Sequence, residues 1–414
     1  MNPDANEQPG EAGGRRKLLG LAALMRMVFS GADLVPVGER LMARAAADPQ
    51  DAEALMDLST ILQIWLNHKL ALATQAQALA MQQLYRLPAA GSGEPGIRLL
   101  ALMAPGDLMT NTPLDLLLEG SDVALDMLYL TPDLALPERL PEHDVLFVAI
   151  GESDRNRPLL AEIEEIVGNW PRPALNLPER IVSTSREGAS ALLEALPGVV
   201  MPIAARVGRP ALERLARAEL PIADLLHEGA FPIILRPIDS HAGKGLSKID
   251  DPAGAARYLQ DMPESEFYVS RFVDYRSPDG LYRKYRVALI GGRAFAVHMG
   301  VSAHWMIHYL NAGMTESAEK RAEEARFMAD FDEDFARRHG AALAAVHQRF
   351  GLDYLVIDCA EDAAGRLLIF EVDTGGVVHA LDPVELFPYK QAQMRKVFAA
   401  FRELLAGAMK RGRV

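Results

Sequence analysis

The chain has 414 residues, half of them apolar, a formal net charge of -13 and one cysteine. That length suggests about two or three domains with ample material for packed cores. The acidic balance argues against a nucleic-acid partner, the lone Cys359 excludes an intrachain disulfide, and no apolar run approaches the ~20 residues that span a bilayer.

Residues 1–16 hold almost nothing to bury and are expected to be a disordered tail. The apolar stretch 18–29 follows Arg15, Arg16 and Lys17 but is broken by Arg26 and has no small-residue cleavage site after it. It reads as an amphipathic helix of a soluble, cytoplasmic protein rather than as a signal peptide. Residues 17–90 are helical by pattern. Asp48 and Pro49 open a helix carrying Ala54, Leu55, Leu58, Leu62 and Trp65, and a second helix is predicted over 69–86. The pair resembles one tetratricopeptide-type unit, which implies a protein partner on these helices, although no second copy is visible. A helical hairpin packed on the next domain is the plainer reading.

A linker at 89–95 precedes a change of period. Apolar runs at 97–103, 123–130 and 144–150, then a helix near 159–167, predict a small α/β domain over 96–178. Beyond it the pattern is mixed, α+β in character. A helix at 183–196, a strand at 199–203, a helix at 210–218 and a strand at 231–236 lead into a glycine-containing loop. Strands follow at 267–273, 284–290 and 294–299, then a long charged helix at 316–350, an acidic hairpin, and a last helix at 389–406.

The hairpin carries the strongest chemical signal. Two apolar runs deliver Asp358 on one strand and Glu371 and Asp373 on the next, across a turn-like stretch at 362–365. Glu371 and Asp373 are two apart and share a strand face. Carboxylates converging on one face repel unless a hard cation sits between them, and oxygen-only ligation suits Mg²⁺ that carries phosphate. Cys359, beside Asp358, reads as a small core residue.

The loop formed by Ser240, His241, Ala242, Gly243, Lys244 and Gly245 has small residues that let backbone amides approach phosphate oxygens. It does not have the Walker A spacing. Arg236, at the preceding strand end, suits bidentate phosphate contact. Lys284 and Arg286 alternate onto one face of a strand, and Arg293 follows a Gly291–Gly292 turn. His304 and His308 are four apart, but Trp305 stands where a zinc protease needs Glu. His304 and Trp305 are instead expected in a substrate pocket with His298 and Asn311.

A basic residue and glycine-rich loop, an apolar strand, a basic strand, then Asp and Glu-x-Asp, in that order, resemble the ATP-grasp superfamily. The likeness is to carboxylate–amine ligases related to RimK-type and D-alanine–D-alanine ligases. It implies an ATP-grasp domain over 179–410 preceded by the α/β domain. It places the triphosphate under residues 240–245, adenine at Arg271, Phe272 and Val273, the ribose near Lys284, and two Mg²⁺ ions at Asp358, Glu371 and Asp373. Arg236, Arg286 and Arg293 would act on phosphate or substrate carboxylate. Thr374, Gly375, Gly376 and His379 would help shape the substrate pocket. The chain departs from the family's usual Lys at 236 and Asn at 373.

The implied activity is ATP- and Mg²⁺-dependent. A carboxylate is activated as an acyl phosphate and joined to an amine, with small molecules or a peptide as substrates. A nucleotide-binding scaffold without turnover, or a kinase on the same fold, are the alternatives. A homodimer is compatible with the sequence.

Overall fold

The structure, a computed structural model, describes residues 17–91, 93–131, 137, 139–226, 229–238, 240 and 243–412. The expected disordered tail, together with His241 and Ala242 of the loop, lies outside the described residues. The strands are β1 (Leu84–Leu87), β2 (Ile97–Met103), β3 (Val123–Tyr129), β4 (Val145–Val148), β5 (Ala174–Leu175), β6 (Val199–Val200), β7 (Ala204–Gly208), β8 (Ile233–Pro237), β9 (Ser247–Ile249), β10 (Glu266–Arg271), β11 (Tyr282–Ile290), β12 (Arg293–Ser302), β13 (Tyr354–Glu361) and β14 (Leu367–Asp373). Among the described residues they form three sheets in a mixed α/β fold.

The first sheet runs β1-β3-β2-β4-β5, parallel except for β1 at its edge. Its inner strands are near-continuous apolar runs because both faces are covered. The expectation of a helix reaching residue 86 fails here. Tyr85 is fully buried and β1 hydrogen-bonds along β3, so the end of the helical region is drawn into the first sheet. Four helices precede it, Gly20–Phe29, Val35–Ala47, Ala52–Ile64 and His68–Met81. Asp51 caps the third by accepting from the Ala54 N–H at 2.9 Å and pairs with Arg44 at 3.0 Å.

The second sheet, β7-β10-β8-β9, is antiparallel and packs over its own small core around Leu212, Ile233, Leu235 and Phe267. Strands β7 and β9 were not legible as alternating patterns, being short and mostly polar or small. The third sheet, β12-β11-β13-β14-β6, is antiparallel apart from β6. Its side chains alternate between two cores. Val287, Leu289 and Ile357 pack among Phe331, Phe335 and Phe350. Ala288, Ile290, Tyr354 and Val356 pack against Val397 and Phe401 of the helix Lys390–Arg411.

The long helix expected over 316–350 is three helices, Ala318–Ala329, Phe335–Arg338 and Gly340–Phe350. The breaks let Phe331 and Phe335, with centroids 5.6 Å apart, both turn into the core. Gly351, at φ 62°, ends the last helix in the left-handed conformation that glycine adopts without strain. Burial pushes the Cys359 thiol well up, so it is an inert core group.

Candidate active site

The second and third sheets face each other across a cavity of about 500 Å³. Two β-bulges aim the third sheet's side chains into it. Opposite β13, Asp358 pairs with Glu371 and Cys359 with Ile369, which leaves Phe370 as an extra residue. The bulge lets Phe370 and Glu371 both face the cavity and keeps Asp373 on the same side. A second shift, opposite Arg286 and Val287, makes Val297 the extra residue, so Val297 and His298 both line the cavity. Strict alternation, read from sequence, could not show this.

The wall is a belt of paired charge. Asp358, 4 % exposed, accepts from Arg286 Nε on Oδ1 at 2.7 Å and from Nη2 on Oδ2 at 3.0 Å, and Lys284 Nζ lies 2.7 Å from the same Oδ2. Burial alone would raise the Asp358 carboxyl; Arg286 and Lys284 overcome it and hold the group well below the usual carboxylate range. Burial likewise opposes the Arg286 charge, and Asp358, Glu371 and Asp373 push that guanidinium up. Arg286 also donates to the Val377 carbonyl at 3.1 Å. Glu371 accepts from Arg186 at 2.5 Å, and Arg186 and Arg236 together keep it ionised against burial. Asp373 accepts from the Gly375 N–H at 2.7 Å.

Arg236, on β8, is buried and bonds the Ser240 hydroxyl at 3.2 Å and the Ser240 carbonyl. Burial, and then its neighbour Arg186, pushes its guanidinium down to about 10. Of the loop, Gly243 lines the cavity, whereas Lys244 is exposed and stands outside it. Gly245, at φ 67°, accepts from Tyr258 Oη at 2.8 Å and leaves no room for a side chain. Arg271, Phe272 and Val273 line the cavity where β10 ends, and Phe272 meets Trp305 edge-on at 5.6 Å.

Several expected residues besides Lys244 are not brought in. Arg293 begins β12 at the far end of the sheet from Asp358; it is 68 % exposed and pairs with Glu403 at 3.5 Å. His304 is exposed, and Asn311 accepts from the His308 N–H at 3.1 Å as a cap, because the segment after β12 turns them outward. Thr374, Gly375 and Gly376 do not line the cavity either. Thr374 is wholly buried and accepts from Thr112 Oγ1 at 2.9 Å, and a Cβ on Gly375 or Gly376 would meet the Met109 carbonyl or Val356 at 3.0 Å. They hold the loop close to Met109, Thr112 and β13, and Val377 and His379 beyond them reach the cavity.

Other lining residues escaped the sequence reading. Arg186 comes from the first turn of a short helix that Ser185 caps, and its target lies 185 positions away. Met25 and Phe29 come from the first helix of the chain. Lys390, buried, pairs with Asp382 at 3.0 Å and lies 4.1 Å from the Tyr309 ring centre. Altogether six Lys and Arg side chains line the cavity against four Asp and Glu.

The donor set suits a hard cation: Asp358 and Glu371 are held ionised and all candidate ligand atoms are oxygen. The arrangement does not gather three of them. Asp358 is taken by Arg286 and Lys284, Glu371 by Arg186, and among the described residues no group of three His, Cys, Asp or Glu could hold a metal. Asp358, Glu371 and Asp373 all line the one cavity, with Asp358 paired to two cations.

The cleft between the second and third sheets is thus lined with more cations than carboxylates. No protein-family model matches the chain. Among solved structures it is similar to D-alanine–D-alanine ligase from Bacillus anthracis complexed with ATP, at 13 % identity over 76 % of this chain and 99 % of that one, with a TM-score of 0.46. D-alanine–D-alanine ligase from Coxiella burnetii aligns at 10 % identity over 77 % of this chain and 96 % of that one, TM-score 0.48. A RimK domain protein ATP-grasp from Sphaerobacter thermophilus aligns at 14 % identity over 74 % and 99 %, TM-score 0.41.

Proposed function

We propose that the protein is an ATP-dependent carboxylate–amine ligase of the ATP-grasp type, forming an amide bond and releasing ADP and phosphate. The observation that carries this reading is the belt of Arg186, Arg236, Lys284 and Arg286 facing the carboxylates of one hairpin inside a cavity, beside an aromatic slot. Phosphoryl transfer needs positioning and charge neutralisation more than a nucleophile on the protein.

Phe272, Val273 and Trp305 would hold the adenine. Arg236 and the backbone around Gly243 would take the triphosphate, with Arg186 beside them. Mg²⁺ bound with the nucleotide would supply further neutralisation of phosphate charge, and Glu371 and Asp373, on one strand face, are the residues to hold it. A substrate carboxylate oxygen would then attack the γ-phosphorus, the bond to ADP would break, and an acyl phosphate would form. Arg286, fixed by Asp358 and Val377, would stay oriented toward that charge. The amine would attack the acyl carbon, lose a proton and expel phosphate. A cytoplasmic location, where ATP is supplied, goes with this chemistry. Among the described residues no helix is long and apolar enough to cross a membrane.

Purified protein with Mg²⁺, ATP and a mixture of amino acids is expected to release ADP. Glu371→Gln and Arg236→Gln should each reduce the release at least about 100-fold while the melting transition is kept, in line with losing a group that stabilises transferring phosphate. ADP release indifferent to both changes overturns the reading. A phosphorylated rather than amidated product, seen by mass, would make it a kinase.

A further inference from the structure

One wall of the cavity is unlike the rest. The helix Gly20–Phe29 presents Met25 and Phe29, four apart and so on one face, into the same space as the cation belt. Val377 packs in the same apolar cluster, Met109 also lines the cavity, and Phe29 stands edge-on to His379 at 5.0 Å.

This helix is not a loose appendage. Both oxygens of the buried Asp57 accept from its start, the Leu19 N–H at 2.8 Å and the Gly20 N–H at 3.0 Å. Asp115 accepts from the Ala22 N–H at 2.9 Å. On the outside, Arg26 pairs with Glu119 at 2.5 Å, and Ala22, Leu116 and Leu381 form a small core that Met25 and Phe29 extend. His379 stands on this wall. Its Nδ1 accepts from the Leu381 N–H at 3.2 Å, so the neutral ring carries its proton on Nε2 and can donate. Burial, and Lys390 against the pull of Asp382, keep the ring below its ordinary pKa.

A patch of thioether and phenyl groups offers nothing to phosphate. It offers contact area and adaptability to an apolar group of irregular shape. We propose that Met25 and Phe29 form the side-chain pocket for the substrate that is joined, and that this substrate is an amino acid or peptide end with an aromatic or large aliphatic side chain. The inference rests on the ligase reading for the word substrate, but the pocket itself is a binding property. The N-terminal helices are then part of the site.

The experiment is calorimetric binding to the full chain, with a non-hydrolysable ATP analogue present. The probes are L-phenylalanine, L-leucine, glycine and L-glutamate, and ADP release is assayed with each probe in parallel. Phenylalanine or leucine is expected to bind at least about tenfold more tightly than glycine or glutamate. Phe29→Ala should cut that preference about tenfold and leave affinity for the nucleotide analogue within about twofold. Met25→Gln, at a half-buried position, gives the same test if Phe29→Ala does not fold. Absence of apolar binding, a preference for glycine or glutamate, or an apolar preference unchanged in both variants overturns the inference. Apolar binding of the expected pattern without ADP release overturns the ligase reading and leaves the pocket. ADP release that neither variant alters overturns the pocket and leaves the ligase.

Discussion

At Asp358 the decisive fact is that a buried carboxylate has two cationic partners. Removing one partner of a buried pair leaves charge without compensation, which costs about 3–5 kcal/mol. Arg286→Met is expected to lose about that much on denaturant unfolding, tempered by Lys284, which stays 2.7 Å away. The pH dependence has a fixed sign. A carboxyl held below its unfolded value contributes stability that is present above about pH 4 and disappears only as pH falls through the lowered folded value. Asp57 runs the other way. Burial raises its carboxyl to about 6 in spite of the two backbone N–H groups that it accepts. Its contribution is full below about pH 4 and is lost as pH rises through about 6. The unfolding free energy of the wild type, measured against Asp57→Asn, should therefore rise as pH is lowered from 7 to 5, by roughly 1 kcal/mol.

At the scale of elements, two local devices decide what the cavity presents: the bulges and the glycine loop. Gly245 sits at φ 67°, and a Cβ there would meet the Pro237 ring at 2.7 Å. Gly245→Ala must move the loop away from β8 and the Arg236 end of the strand. A loss of about tenfold in ATP-analogue affinity is expected, read by titration, from roughly 1–2 kcal/mol of backbone strain and displacement. The melting transition should move little, because Leu246 and Gly243 are only half-buried. The bulge at Phe370 explains why Glu371 shares a face with Asp358 although Ile369, two positions back, lies in the opposite core. Two carboxylates two apart were legible as co-facial from the sequence; which partners they meet was not.

At the scale of the molecule, the helix Lys390–Arg411 joins the parts. Val397, Phe401 and Leu405 are fully buried against Phe147 of the first sheet and Tyr354 of the third, with ring centroids 5.8 and 5.4 Å from Phe401. Arg402 reaches Asp122 at 2.6 Å. A chain ending at residue 389 would expose both sheets, and it is expected to be insoluble or to lose its cooperative melting transition. Phe401→Ala, a milder change, should cost about 3–5 kcal/mol in unfolding free energy through the cavity it leaves.

The sequence by itself determined the mixed α/β character, the acidic hairpin, the glycine-rich loop and the basic strand. Each of these is a local pattern in which period, turn chemistry and residue type agree within a dozen positions. Tertiary structure alone decided the rest. It turned the end of the helical region into the edge strand β1, broke the long charged helix in three, and carried Arg293, His304 and Asn311 away from the cavity. It also brought Arg186, Met25, Phe29 and Lys390 into the cavity, from segments whose own periodicity says only that they are helices. The physical reason is that side-chain partners separated by 72 or 185 positions leave no trace in local spacing. Whether a carboxylate meets a metal, a lysine or an arginine is settled by which strand lies beside it, and that is a property of the folded sheet.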